Sequence, residues 1–131
     1  MKRLAFLAAA SAAAIVASGV ASAAIMTAPP TDSWTVTNYY KQAVYDTNQT
    51  KIGEVDDVLV DQSGKVTGLV ISVGGFLGMD TKDVIVPFSD VTMQKKNDKN
   101  WLSINETKDS LKAAPGFSYD RSTTMWTPAK S

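Results

Sequence analysis

The stretch EVDDVLVDQSGKVTGLVISVGGFLGMD, Glu54 to Asp80, decides the fold. Val58-Leu59-Val60 and the run from Val66 to Val73 are apolar and rich in β-branched residues, and they flank Asp61-Gln62-Ser63-Gly64-Lys65. Gly64 can take the positive φ that closes a hairpin. In the second run Leu69, Ile71 and Val73 share one face at the two-residue period of a strand, while Gly68, Val70 and Ser72 share the other. The spacing predicts one core face and a second face, partly apolar, that something else can cover.

The run then breaks into Gly74, Gly75, Phe76, Leu77 and Gly78. A phosphate-binding loop would need a lysine with a serine or threonine and a following helix, and neither is there. The spacing also fails G-x-G-x-x-G, with bulky Phe76 and Leu77 where a phosphate would need close approach. The reading adopted is a corner of a barrel, its glycines permitting unusual φ and its Phe76-Leu77 tip covering the barrel end or touching a partner. These five residues form a candidate interaction loop.

Working outward, Val84, Val86 and Phe88 fall on one face of KDVIVPF and Ile85 on the other, and Pro87 places that strand at an edge or ends its pairing. Upstream, Asp46 to Thr50 turns between Val44-Tyr45 and Lys51 to Val55. Downstream, Val91 to Gln94 pairs with Trp101 to Ile104 across the polar turn holding Lys95, Lys96 and Lys99. That makes about six short strands. Thr107 then caps a helix of about two turns with Asp109 in its first turn, stopped by Pro115-Gly116. The polar tail from Phe117 to Ser131 carries three aromatics, Phe117, Tyr119 and Trp126, a candidate interaction tail expected to pack partly on the barrel and then fray.

The first residues read Met1-Lys2-Arg3, an uncharged alanine-rich run from Leu4 to Val20, and Ala21-Ser22-Ala23. This is the layout of a cleaved export signal, with cleavage expected after Ala23 and no stable membrane insertion afterwards. The expected organisation is therefore a signal over 1–23, a linker over 24–33 containing Pro29-Pro30, a barrel over 34–106, and a helix with the aromatic tail over 107–131. The expected location is the periplasm or the exterior.

Composition removes whole classes of chemistry. The chain has 13 basic and 13 acidic residues, and loss of Lys2 and Arg3 with the signal leaves 11 against 13, a net charge of −2. Nucleic-acid binding by clustered cations has no support there. There are no cysteines and no histidines. Their absence rules out Ser-His-Asp and Cys-His nucleophilic catalysis and an ordinary zinc site. Glu54, Asp56 and Asp57 are the acids that a calcium site or a two-carboxylate glycosidase would draw on. Glu54 and Asp56 share a strand face, with Asp57 opposite, unless a bulge intervenes. The turn at Asp46 lacks the glycine a calcium loop needs, since Lys51 stands there. No catalytic residue, cofactor or metal is assigned.

In KIGEVDDVLVD, the turn at Ser63-Gly64-Lys65, VISVGGFLG and KDVIVPF, the span Lys51 to Val91 resembles a PRC-barrel domain, the small β-barrel of the photosynthetic reaction-centre H subunit and of a ribosome maturation protein. TKDSLKAAPGFSYD is similar to the tail of secreted bacterial members, chiefly alphaproteobacterial ones. The resemblance implies an all-β fold, a small antiparallel barrel of about six strands followed by a short C-terminal helix and tail. It brings no shared catalytic residues and implies an adaptor or docking role, with another protein or an envelope component as partner. A small-ligand or carbohydrate-binding protein is the alternative.

Overall fold

The computed structural model describes residues 24–74 and 81–129. Residues 24–33 are exposed throughout and hold neither helix nor strand, and the Ser33 hydroxyl donates to the Pro30 carbonyl at 2.7 Å. A second compact unit starts at Trp34. It runs through a 3-10 turn at Val36–Asn38, then β1 (Ala43–Tyr45), β2 (Lys51–Val60), β3 (Val66–Gly74), β4 (Thr81–Pro87), a second 3-10 turn at Phe88–Asp90, β5 (Val91–Lys96), β6 (Lys99–Ile104), α1 (Lys108–Ala113), β7 (Phe117–Asp120) and β8 (Met125–Pro128).

The fold is mostly β, as the sequence predicts, but four details differ. Eight strands form one sheet in the order β5-β6-β1-β2-β3-β4-β7-β8, and among the described residues no pairing closes its two ends. The sheet is not wholly antiparallel, since β1 runs parallel to β6 through Val44↔Leu102 and Tyr45↔Ser103. The aromatic tail is a hairpin, β7 with β8, paired from Phe117↔Pro128 to Asp120↔Met125. α1, at six residues, is also shorter than two turns, although Thr107 caps it through its side chain, which accepts from Ser110 N at 3.0 Å.

The central hairpin is as the pattern requires. Asp61 Oδ1 accepts from the Ser63 and Lys65 backbone N–H groups at 2.9 and 3.0 Å, which fixes the turn between β2 and β3. Leu69, Ile71 and Val73 are fully buried and point into a core with Val44, Val55, Val84, Leu102 and Ile104. Leu111 of α1 joins this cluster, so the helix acts as a plug on it. Tyr39 and Phe88, in edge-to-face contact at 5.3 Å, pack against it as well. An unclosed sheet leaves core side chains to be covered, and short elements at its margins supply that cover.

Val70 lies on the opposite face of β3 and is also fully buried. A residue on the outer face reaches zero exposure only if something lies across it, and the C-terminal hairpin is placed to do so. β7 meets β4 at a single bridge, Asp83↔Phe117, and Trp126 of β8 nevertheless reaches Asp57 on β2, two strands further in. The hairpin is therefore tied to the sheet at the β4 edge and, through the Trp126 side chain, to the outer face of β2.

Candidate functional site

The acids Glu54, Asp56 and Asp57 are distributed by a β-bulge. Val55 pairs with Ile71 and Asp57 with Val70, so Asp56 is the extra residue on β2. A bulge changes the alternation beyond it. Glu54, opposite Ser72, and Asp57, opposite Val70, consequently share the outer face. Continuing across the sheet, Ser72 pairs with Asp83 and Val70 with Ile85. Two rows result, Glu54–Ser72–Asp83 and Asp57–Val70–Ile85, with Asp56 between them.

Each acid has a different environment. Asp57 Oδ1 accepts from its neighbour Val58 N at 2.8 Å and Oδ2 accepts from the Trp126 indole N–H at 2.7 Å. Asp56 Oδ1 stands 3.2 Å from the Lys41 ammonium. Lys41 is set in a left-handed conformation at φ 66°, its N–H donating to the Val55 carbonyl at 2.8 Å, and so it is carried by β2 itself. Asp56 in turn raises the Lys41 pKa above its ordinary value, by hydrogen bonding and by charge. Glu54 faces Lys51 at 3.6 Å with both side chains about half exposed, an ion pair of little energetic weight.

Asp83 is the unusual member. Its Oδ1 is buried with no hydrogen-bond partner among the described residues. Burial first, and the neighbouring Asp56 second, push its pKa up to about 6, with Lys41 acting in the opposite direction. When protonated, Asp83 can donate to the Asp56 carboxylate. The arrangement is a carboxyl group drawn partly out of water beside the Asp56 carboxylate and its Lys41 partner.

Beside these rows a half-open groove of about 590 Å³ is lined by Lys41, Lys51, Glu54, Asp56, Ser72 and Thr81 among others. Its lining is of mixed charge. Asp83 is not part of it. Among the described residues no grouping of three or more acids is arranged to hold a metal ion, and no helix is long and apolar enough to cross a membrane.

Of the candidate loop, Gly74 ends β3 with φ 102°, a conformation that favours glycine, while Gly75, Phe76, Leu77 and Gly78 lie outside the described residues. The candidate tail residues are brought together on the hairpin. Tyr119 and Trp126 are cross-strand partners with rings edge to face at 5.5 Å, and Phe117 makes the bridge to β4. Tyr119 is 44% exposed and Met125 62% exposed, so the hairpin presents apolar surface outward while Trp126 is half-buried. Sequence reasoning passed over Asp83 and Lys41. Asp83 alternates with buried Val84, which marks it as facing outward, but its approach to Asp56 depends on a bulge that no residue type announces.

The Trp126 bond leads to a direct expectation. Trp126→Phe keeps most of the ring and leaves Asp57 Oδ2 without its donor, a loss of about 2 kcal/mol for a charge-assisted bond. Since the hairpin has few other ties, the loss should show locally. Amide protection in β7 and β8 should fall by about thirtyfold, with β3 amides nearly unchanged. Equal losses in both regions would show that hairpin and barrel unfold as one unit.

Comparison with known proteins agrees with the strand pattern. No curated protein matches the chain at a significant level. The PRC-barrel domain matches residues 35–111, from the approach to the first 3-10 turn as far as the α1 plug at Leu111, so the β7–β8 hairpin lies beyond it. With more than half of its residues within that match and a β-rich fold to go with it, the chain belongs to the PRC-barrel domain family.

Proposed function

We propose that this protein is a non-enzymatic docking module of the bacterial cell envelope, exported to the periplasm and binding another protein or an envelope component. The observation that carries this reading is the hairpin itself, an addition beyond the matched domain that turns Tyr119 and Met125 outward. Exposed apolar side chains gathered on one element are what a partner surface offers. The export reading rests on Met1-Lys2-Arg3, the uncharged run from Leu4 to Val20 and Ala21-Ser22-Ala23. Lack of histidine and cysteine supports the non-enzymatic part, because the commonest bases and nucleophiles are missing.

The test is photocrosslinking in the exported protein from Tyr119, Met125 and Phe76, with Val60, which is 55% exposed and at the end of β2, as the comparison site. The expected result is one recurrent envelope partner from the hairpin or the loop and none from Val60. Equal yields from all sites, or none, would remove the docking reading.

A second reading, a small-ligand or carbohydrate-binding protein, is favoured by the groove, where Lys41, Glu54 and Asp56 offer donors and acceptors together. Chemical-shift changes confined to these residues on adding a saccharide series would support it.

A further inference from the structure

The hairpin and the acid rows are coupled by where they meet. The single bridge joining β7 to β4 is at Asp83, and the hydrogen bond from Trp126 ends on Asp57, one residue from Asp56. The hairpin thus begins against the residue whose Oδ1 is buried without a partner and is held down again at Asp57. We propose that the β7–β8 hairpin is a strap that closes over the outer face of the sheet when the Asp83 carboxyl holds a proton and opens as that proton is lost, uncovering Val70 and Ile85.

Cover and protonation are linked. A cover that removes water from a carboxyl group favours its neutral form, and the neutral form must then favour the cover by the same factor. The surrounding charges do not cancel this effect. On β2 the group faces Asp56, with Glu54 in its own row, and the cation acting on it is Lys41, already paired with Asp56. β3 contributes uncharged Ser72. Lys82, the next residue on β4, has its ammonium engaged by the Lys112 carbonyl at 2.6 Å, beside the end of α1. Of the charged residues of the hairpin, Asp120 ends β7 and Arg121 opens the turn, three and four residues beyond the bridge at Phe117. Loss of the proton from Asp83 leaves two carboxylates beside one ammonium, under a cover fastened by one bridge and one side-chain bond.

The sign follows from the direction of the shift. Asp83 titrates near 6 with the strap closed and in the ordinary carboxylate range near 3.8 when solvated. The contribution to closure is complete below the lower value and is lost as pH rises to the upper one. The closing constant should fall by at most about a hundredfold across that window, and by about tenfold once the partial exposure of Asp83 is allowed for.

The experiment is hydrogen exchange of the intact protein between pH 5 and 7.5, expressed as protection factors so that intrinsic base catalysis is removed. Protection in β7 and β8 should fall by about two- to tenfold over this range while β3 keeps its protection. In Asp83→Asn the hairpin should stay protected throughout. Fluorine NMR of protein labelled with 5-fluorotryptophan gives the second readout: the Trp126 resonance, assigned by its loss in Trp126→Phe, should move with a midpoint near 6 and stay fixed in Asp83→Asn. A hairpin whose protection does not change with pH, or a transition that persists in Asp83→Asn, overturns the strap. Should Asp83→Asn fail to fold, the wild-type protection profile alone decides the matter. None of these readouts requires a partner, so failure of the docking reading and failure of the strap are distinguishable.

Discussion

Ile71→Ala is expected to lower stability by about 4 kcal/mol, the upper part of the range for truncating a fully buried aliphatic residue. Ile71 has no exposed surface and sits at the middle of β3, between Val55 on β2 and Val84 on β4, which are buried as well. The cost of such a change depends on how far the neighbours can relax into the space. Here they are held by ladders on both sides of β3, and the far side of the core is the α1 plug at Leu111. Little collapse is available, so most of the cavity should persist. With no cysteines, the chain has no disulfide to compensate. For a domain of this size the loss is a large share of the roughly 5–15 kcal/mol usually available. Urea unfolding should show a midpoint lower by about 2–3 M at a slope near 1.5 kcal/mol/M. Val60→Ala, at an exposed strand end, should stay within about 0.5 kcal/mol. A cost for Ile71→Ala below about 1 kcal/mol would mean that the core is loosely packed.

The central hairpin was legible because every signal in it agrees. Asp61-Gln62-Ser63-Gly64-Lys65 has an acid whose carboxylate can accept from the backbone two residues on, and the flanking runs alternate at the strand period. The C-terminal hairpin uses the same device, since Asp120 Oδ1 accepts from Ser122 N at 2.9 Å and from its hydroxyl at 2.6 Å. Asp-x-Ser thus occurs at both turns and was the available sign of β7 and β8. FSYD and MWTP are short and polar, and such strands form where a sheet is present to receive them. Propensity is a weak guide at that length. The open sheet and the parallel β1–β6 pair depend on contacts far apart in sequence, which local periodicity does not encode. The acid site was legible only as a list of residues, since one bulged position decides which of them face the same way.

Gly53→Ala is expected to cost about 3 kcal/mol, and its effects should extend to the acid rows. A Cβ at this position would lie 2.5 Å from the Ser72 carbonyl oxygen and 2.9 Å from the Ile71 side chain. The first contact is with backbone, so it cannot be relieved by a rotamer change; β2 and β3 must separate. Gly64→Ala is the informative comparison. There a Cβ meets nothing within 4 Å, but φ is 92°, and the cost should be the backbone strain alone, about 1 kcal/mol. The two substitutions are chemically identical and separate crowding from conformation. At Gly53 the displaced partner is Ser72, which pairs with Asp83 on β4, so pushing the strands apart also moves Asp83 relative to Asp56 on β2. Carbon-detected NMR titration of the aspartates should then show Asp83 returning from about 6 toward the ordinary carboxylate range in Gly53→Ala and staying put in Gly64→Ala. An unchanged Asp83 titration in a destabilised Gly53→Ala would mean that the bulge at Asp56, and not the close approach of β2 to β3, holds the pair together.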